Sequence, residues 1–117
     1  MYNNILIISD NLHLSMRFEF IIRELSLENN NWSFGISPFS ELELFSKNVN
    51  YNIDIYDLRK SDTIVEIIKK YDLVISLHCK QLFPPILVNG IKCINVHPGY
   101  NPLNRGWYPQ VFSIIHD

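Results

Sequence analysis

The chain contains no alanine, only two cysteines (Cys79 and Cys93) and only four glycines in 117 residues. The missing alanine goes with crowding by Ile and Asn, a mark of codon bias that carries no functional information. Two thiols cannot build the disulfide framework of a small secreted domain. Met1-Tyr2-Asn3-Asn4 offers neither a basic leader nor a small-residue cleavage site, so reduced thiols in a cytoplasmic protein are expected. There is no C-x-x-C pair and no His/Cys spacing suited to structural zinc, so no metal is expected. No G-x-G-x-x-G or P-loop follows the first apolar run, which disfavours dinucleotide dehydrogenases and P-loop enzymes. Apolar runs stop well short of the ~20 residues that span a bilayer, so no membrane partner is expected. Charge of one sign is also lacking. Ten Lys+Arg face twelve Asp+Glu, a net charge of −2, with no basic stripe for nucleic acid.

What is present is a core: 47% of residues are hydrophobic and 13% aromatic, in a length that suits one domain. Ile5-Leu6-Ile7-Ile8 reads as a strand buried on both faces of a parallel sheet. Ser9 or Asp10 can cap a following helix, whose apolar face is Leu14, Phe18, Ile21 and Leu25, and Asn29-Asn30-Asn31 stops it. Trp32 to Ile36 reads as a second strand, Glu41 to Phe45 as a short helical turn, and Ile53, Ile55 and Leu58 as a weaker third strand. Ser61 or Asp62 caps a helix carrying Ile64, Ile67, Ile68 and Tyr71. Leu73-Val74-Ile75 is a strong strand, Pro84-Pro85 opens a helix ended by Asn89-Gly90, and Cys93 to Val96 is a last strand. Gly106 to Asp117 reads as a helix. Alternating strands and helices imply βαβ units, a mostly parallel sheet with helices on both faces, and ligands beyond the carboxyl ends of the strands.

The densest chemistry follows the last strand. Asn95 interrupts an apolar run two residues before His97, so both side chains point to the same sheet face. An amide donor beside a titratable imidazole suits reactions that build negative charge on a carbonyl oxygen. The simpler role is a buried Asn that satisfies backbone groups and a His that caps.

The stretch from His97 continues Pro98-Gly99-Tyr100-Asn101-Pro102-Leu103-Asn104-Arg105-Gly106-Trp107-Tyr108-Pro109. Together with Asn95 it resembles the Asn-x-His-Pro loop, Arg-Gly pair and further Pro of the folate-dependent formyltransferases. The wording through Gln110-Val111-Phe112-Ser113 is most similar to the sugar-nucleotide N-formyltransferases acting on dTDP-4-amino-4,6-dideoxyglucose. The resemblance is strong over about residues 72–117 and weaker at 8–11. It implies a Rossmann-like formyltransferase N-terminal domain, incomplete over 1–117 and truncated after the fifth strand and its following helix.

The resemblance further implies 10-formyltetrahydrofolate as donor, a dTDP-linked amino-dideoxy sugar as acceptor, and a place in bacterial O-antigen assembly. Asn95 would hold the formyl oxygen and His97 would stabilise or protonate the oxyanion. The family's third residue, an Asp some three dozen positions after the His, falls beyond Asp117, so this chain alone is expected to be impaired. The loop after the fourth strand, His78, Cys79, Gln81, Leu82 and Phe83, would hold the pterin. Lys80 would meet a pyrophosphate, and Asp10, Asn11, Tyr100 and Arg105 would line the acceptor side. Helix capping is the simpler role for the residues after strand one, and loop bracing for Arg105. Cys79 as a nucleophile has no support beyond its place. His13 and His116 are expected to face solvent, and Trp107 and Tyr108 to pack.

Three other readings stay in view. Glycinamide-ribonucleotide formyltransferases carry Pro-Gly where this chain has Arg105-Gly106, and a Gly-rich phosphate loop that Ser9-Asp10-Asn11 lacks. Methionyl-tRNA formyltransferases share Arg-Gly but need a basic surface. A non-catalytic nucleotide-binding Rossmann-like module is the alternative of another class. An unpaired sheet edge invites a homodimer or other association.

Overall fold

In the computed structural model, residues 2–96 and the strand 113–114 are described. Five parallel strands form in chain order: β1 (Asn4–Ile8), β2 (Asn31–Ile36), β3 (Ile53–Ile55), β4 (Leu73–Leu77) and β5 (Lys92–Val96). Helices α1 (Leu12–Glu24), α2 (Leu42–Asn48), α3 (Ser61–Lys70) and α4 (Pro85–Gly90) connect them. The sheet order is β3-β2-β1-β4-β5-β6, and β6 (Ser113–Ile114) pairs antiparallel with β5. The order reverses between β1 and β4, the switch point at which open α/β sheets bind ligands.

Strand alternation divides the core. Ile5, Ile7, Phe34, Ile36, Leu73, Ile75, Leu77 and Val96 pack with Ile22 of α1 and with Phe45 and Val49 around α2. Leu6, Ile8, Val74 and Cys93 face the other way, onto Ile64 and Ile67 of α3, Tyr71 after it and Leu87 of α4. Both faces of β1 and β4 are therefore apolar, which is why those strands read as unbroken hydrophobic runs.

The structure corrects the sequence in four places. Of the predicted α1 face, Leu14 and Phe18 pack against the core, but Ile21 and Leu25 are exposed, and the fully buried residues are Ser15, Glu19 and Ile22. Polar groups tolerate this burial because each has a partner. The Ser15 hydroxyl donates to the Asn11 carbonyl at 3.0 Å, and the Glu19 carboxylate accepts from the Asn50 amide at 3.1 Å. The N-cap of α1 is Asn11, not Ser9 or Asp10, and its side-chain oxygen accepts from the Leu14 amide at 3.0 Å. The N-cap of α3 is Lys60, with no side-chain capping bond. Finally, Ser113–Ile114 are strand where a helix was expected. Pairing of Ile94 with Ile114 and Asn95 with Ser113 covers part of the edge that β5 would otherwise present. The rest of that expected helix, with His116, lies outside the described residues. No helix among the described residues is long and apolar enough to cross a membrane.

Candidate active site at the carboxyl ends of β4 and β5

A cavity of about 520 Å³ opens where β4 and β5 end, on the face that carries α3 and α4. Its described lining is Ser76, His78, Cys79, Gln81, Leu82, Phe83, Val88 and Asn95. The volume falls within the roughly 300–1,000 Å³ of small-molecule sites. All five residues expected to form the donor loop are brought together here, with Asn95. His97, Tyr100 and Arg105 lie outside the described residues.

The cavity floor is polar because the two strands change character at the same level. Ser76 and Asn95 are register partners, one rung beyond Val74 and Cys93 on the same face. Two apolar ladder positions thus give way to a hydroxyl and an amide. Ser76 was missed in the sequence, where it read as a strand end. The available signal was its polar side chain two positions after Val74, matching Asn95 after Cys93. Val88, on α4, closes the apolar side.

The loop after β4 starts with a forced turn. His78 has φ of 56°, left-handed for a residue with a Cβ, and its carbonyl accepts from the Asp10 amide at 3.3 Å. His is among the residues that enter this region most readily, and such strain persists where surrounding bonds over-determine it. Two side chains supply those bonds. The Asp10 carboxylate accepts from the Lys80 amide at 2.7 Å, the Ser37 amide at 2.9 Å and the Ser40 hydroxyl at 2.6 Å. One carboxylate therefore ties the exits of β1, β2 and β4. Burial pushes its pKa up, but the bonds from Ser37, Ser40 and Lys80 outweigh burial and leave it below 3.8. The Gln81 amide forms the second tie. Its oxygen accepts from the Leu58 amide at 2.9 Å and its nitrogen donates to the Tyr56 carbonyl at 2.8 Å.

These bonds engage the side chains of three sequence candidates. Asp10 holds loops, Asn11 caps α1, and Gln81 spends its amide on the segment after β3. Lys80 is exposed, outside the cavity lining. His13 is exposed on α1, as expected.

Cys79 sits part-buried on the cavity wall, and burial pushes its thiol up to about 11. The thiol is therefore protonated near neutral pH, and the arrangement argues against nucleophilic use. Alkylation of native protein by iodoacetamide is expected to be slow at neutral pH. It should quicken about tenfold per pH unit on the way to the thiol's own pKa. Fast modification at neutral pH would contradict this environment.

The geometry defines a Rossmann-like α/β domain with a small-molecule cavity at the carboxyl ends of β4 and β5, next to the switch point, and an amide in its lining. No family model matches the chain. Its homologues are sugar N-formyltransferases. Over 55 residues it is 62% identical to dTDP-4-amino-4,6-dideoxyglucose formyltransferase of Mycobacterium bovis, covering 47% of this chain and 24% of that protein. The same protein from Mycobacterium tuberculosis matches equally. A sugar N-formyltransferase from Shewanella sp FDAARGOS_354 superposes with a TM-score of 0.65 at 32% identity, over 92% of this chain and 44% of that one. A 4-N formyltransferase from Francisella tularensis gives 0.63 at 38%, over 92% and 43%. The chain thus spans about a quarter of the length of the curated relatives in the matched region, and less than half of the solved ones.

Proposed function

We propose that this chain carries the formyl-donor half of a sugar N-formyltransferase, in which 10-formyltetrahydrofolate donates to the amino group of a dTDP-linked amino-dideoxy sugar. The observation that carries the reading is the cavity itself. A loop held rigid at His78–Phe83 faces an amide, Asn95, two residues before His97 in the Asn-x-His-Pro motif.

The donor's pterin would lie against the His78, Cys79, Gln81, Leu82 and Phe83 segment, where backbone groups fixed by Asp10 and Gln81 supply hydrogen bonds. Its formyl carbonyl would point to Asn95. The neutral sugar amine attacks the formyl carbon, and a new C–N bond forms. Charge gathers on the former carbonyl oxygen, where the Asn95 amide donates and the His97 imidazole donates or shuttles a proton. Collapse breaks the bond to N10 of the folate, and N10 takes up the proton that the amine releases. Lys80 would stand at the acceptor's phosphates, with Asn11, Tyr100 and Arg105 on that side. Asp10 belongs to the acceptor side only through the loops that it holds.

The test mixes donor and dTDP-4-amino-4,6-dideoxyglucose with this chain, and with the chain extended to the length of its homologues. The expected result is a sugar nucleotide heavier by one carbonyl group from the extended protein, with little or none from the 117 residues. No transfer by either, with nucleotide binding retained, would favour the non-catalytic binding module.

A further inference from the structure

Four serines are buried among the described residues: Ser9, Ser15, Ser37 and Ser76. Three of them spend their hydroxyls on the fold. Ser9 and Ser15 donate to the Asn11 carbonyl at 3.2 and 3.0 Å, and Ser37 accepts from the Phe39 amide at 3.2 Å. Ser76 differs. It is only 7% exposed and lines the cavity, yet its hydroxyl has no hydrogen-bond partner among the described residues. Nor is that oxygen sealed in the core, since no fully enclosed side-chain oxygen or nitrogen among the described residues lacks a partner. The Ser76 hydroxyl therefore opens on the cavity. A buried hydroxyl without a partner costs free energy, so its partner belongs to whatever fills that space.

The sheet fixes where the hydroxyl stands. Ile8 of β1 pairs with Ser76 of β4, and Ser76 pairs with Asn95 of β5. Such partners share one face of the sheet, on strands about 5 Å apart. Ile8 is fully buried, so the polar part of this rung begins at Ser76. Serine is the shorter of the two polar side chains. An oxygen seated over Ser76 Oγ therefore lies beside the Asn95 amide nitrogen. One ligand oxygen can accept from both at the ~2.7–3.1 Å that oxyanion donors require. Phe83 and Val88 supply an apolar wall to the same cavity, which strengthens hydrogen bonds made against it.

We infer that the Ser76 hydroxyl is a second hydrogen-bond donor to the formyl oxygen, beside the Asn95 amide. This rests on the proposed function and deepens it by adding a catalytic residue to the same reaction. As the amine attacks the formyl carbon, the carbonyl π pair moves onto oxygen. The Ser76 O–H and the Asn95 N–H donate to the charge that gathers there. Ser76 keeps its proton throughout. On collapse the pair returns to the carbonyl, the bond from the formyl carbon to N10 breaks, and N10 takes the proton that the amine releases. The hydroxyl gives up no bond to a described residue when it turns to the substrate.

The experiment uses a stable donor analogue, 10-formyl-5,8-dideazafolate with an isotopic label in its formyl group. It is bound to this chain and to the extended protein of the transfer assay. Infrared difference spectra read the formyl carbonyl of the bound analogue. Ser76→Ala is expected to move that band to higher frequency, because the oxygen loses one hydrogen bond. In the extended protein the same variant should lower kcat about a hundredfold, with the acceptor KM unchanged. The melting temperature should not fall, since the hydroxyl holds no described part of the fold. An unmoved band or an unchanged kcat would overturn the assignment and leave the formyl-transfer reading intact. A lowered melting temperature with an unmoved band would show that the hydroxyl serves the fold instead. No bound analogue and no transfer by wild type at either length would remove the formyl-transfer reading, and the role of Ser76 with it.

Discussion

Asp10→Ala should release the loop that walls the cavity while leaving the sheet assembled. Three donors lose one acceptor, and two of them are backbone amides with fixed directions. Hydrogen bonds to a charged acceptor contribute about 1.5–3 kcal/mol each in favourable cases. The site is only part-buried, so water replaces much of that, and a total loss of about 2–3 kcal/mol is expected. The local effect is larger than the global one. Hydrogen exchange at the Lys80 amide should accelerate strongly, and that at Leu6 or Val74 in the sheet centre should change only with overall stability. Asp10→Asn is not a neutral control. It keeps one acceptor oxygen but turns an NH2 toward one of the amides. The acid limb gives an independent check. Because the folded pKa of Asp10 is depressed below 3.8, its contribution is complete above that value and is lost as pH falls through the lower folded value. The variant should therefore lose less stability than wild type on acidification in that window. Equal acid sensitivity, or unchanged exchange at Lys80, would show that the carboxylate does not hold the loop.

β1 and β4 were the most legible strands because each is a short apolar run buried on both faces, whereas β3, with Asp54 and Ile55 exposed, gave the weaker signal. The connecting helices were legible by position but not by face. On α1 hydrophobicity alone found Leu14 and Phe18, which pack on the core, but it added the exposed Ile21 and Leu25 and missed the buried Ser15 and Glu19. Ser15 and Glu19 are buried because Asn11 and Asn50 supply partners, and the Asn50 contact spans 31 residues of sequence. The cavity wall from His78 to Phe83 could be placed from the strength of β4 and the rule for open sheets. The role of Asp10 could not. A carboxylate after a strand reads as a cap or a ligand contact, and its real partners, Ser37, Ser40 and Lys80, come from two other strand exits. The bracing role of Gln81, named in the sequence only as part of the donor loop, was hidden for the same reason: Tyr56 and Leu58 become its neighbours only when β3 joins the sheet beside β2.

Gly35→Ala should be among the most disruptive small substitutions in the chain. Gly35 is buried in β2, and a Cβ there would stand 2.6 Å from Cδ2 and 3.1 Å from Cε2 of the Tyr56 ring, with Leu6 at 3.5 Å. The ring cannot swing aside easily. Its hydroxyl lies 3.2 Å from that of Tyr71, its amide donates to the Ile36 carbonyl at 2.9 Å, and its own carbonyl receives Gln81. The added methyl therefore strains a residue anchored at both ends, and overpacking of this kind costs about 1–3 kcal/mol. The upper part of that range is expected, read as a lowered denaturation midpoint at unchanged slope. Because the Tyr56 carbonyl holds Gln81, the strain should also reach the cavity wall, visible as faster exchange at the Leu58 amide. A double-mutant cycle isolates the cause. Tyr56→Ala is destabilising by itself, but in that background Gly35→Ala should cost little, giving a coupling within the ~0.5–3 kcal/mol of touching residues. Additive costs would mean that the glycine is required for some reason other than the ring packed against it.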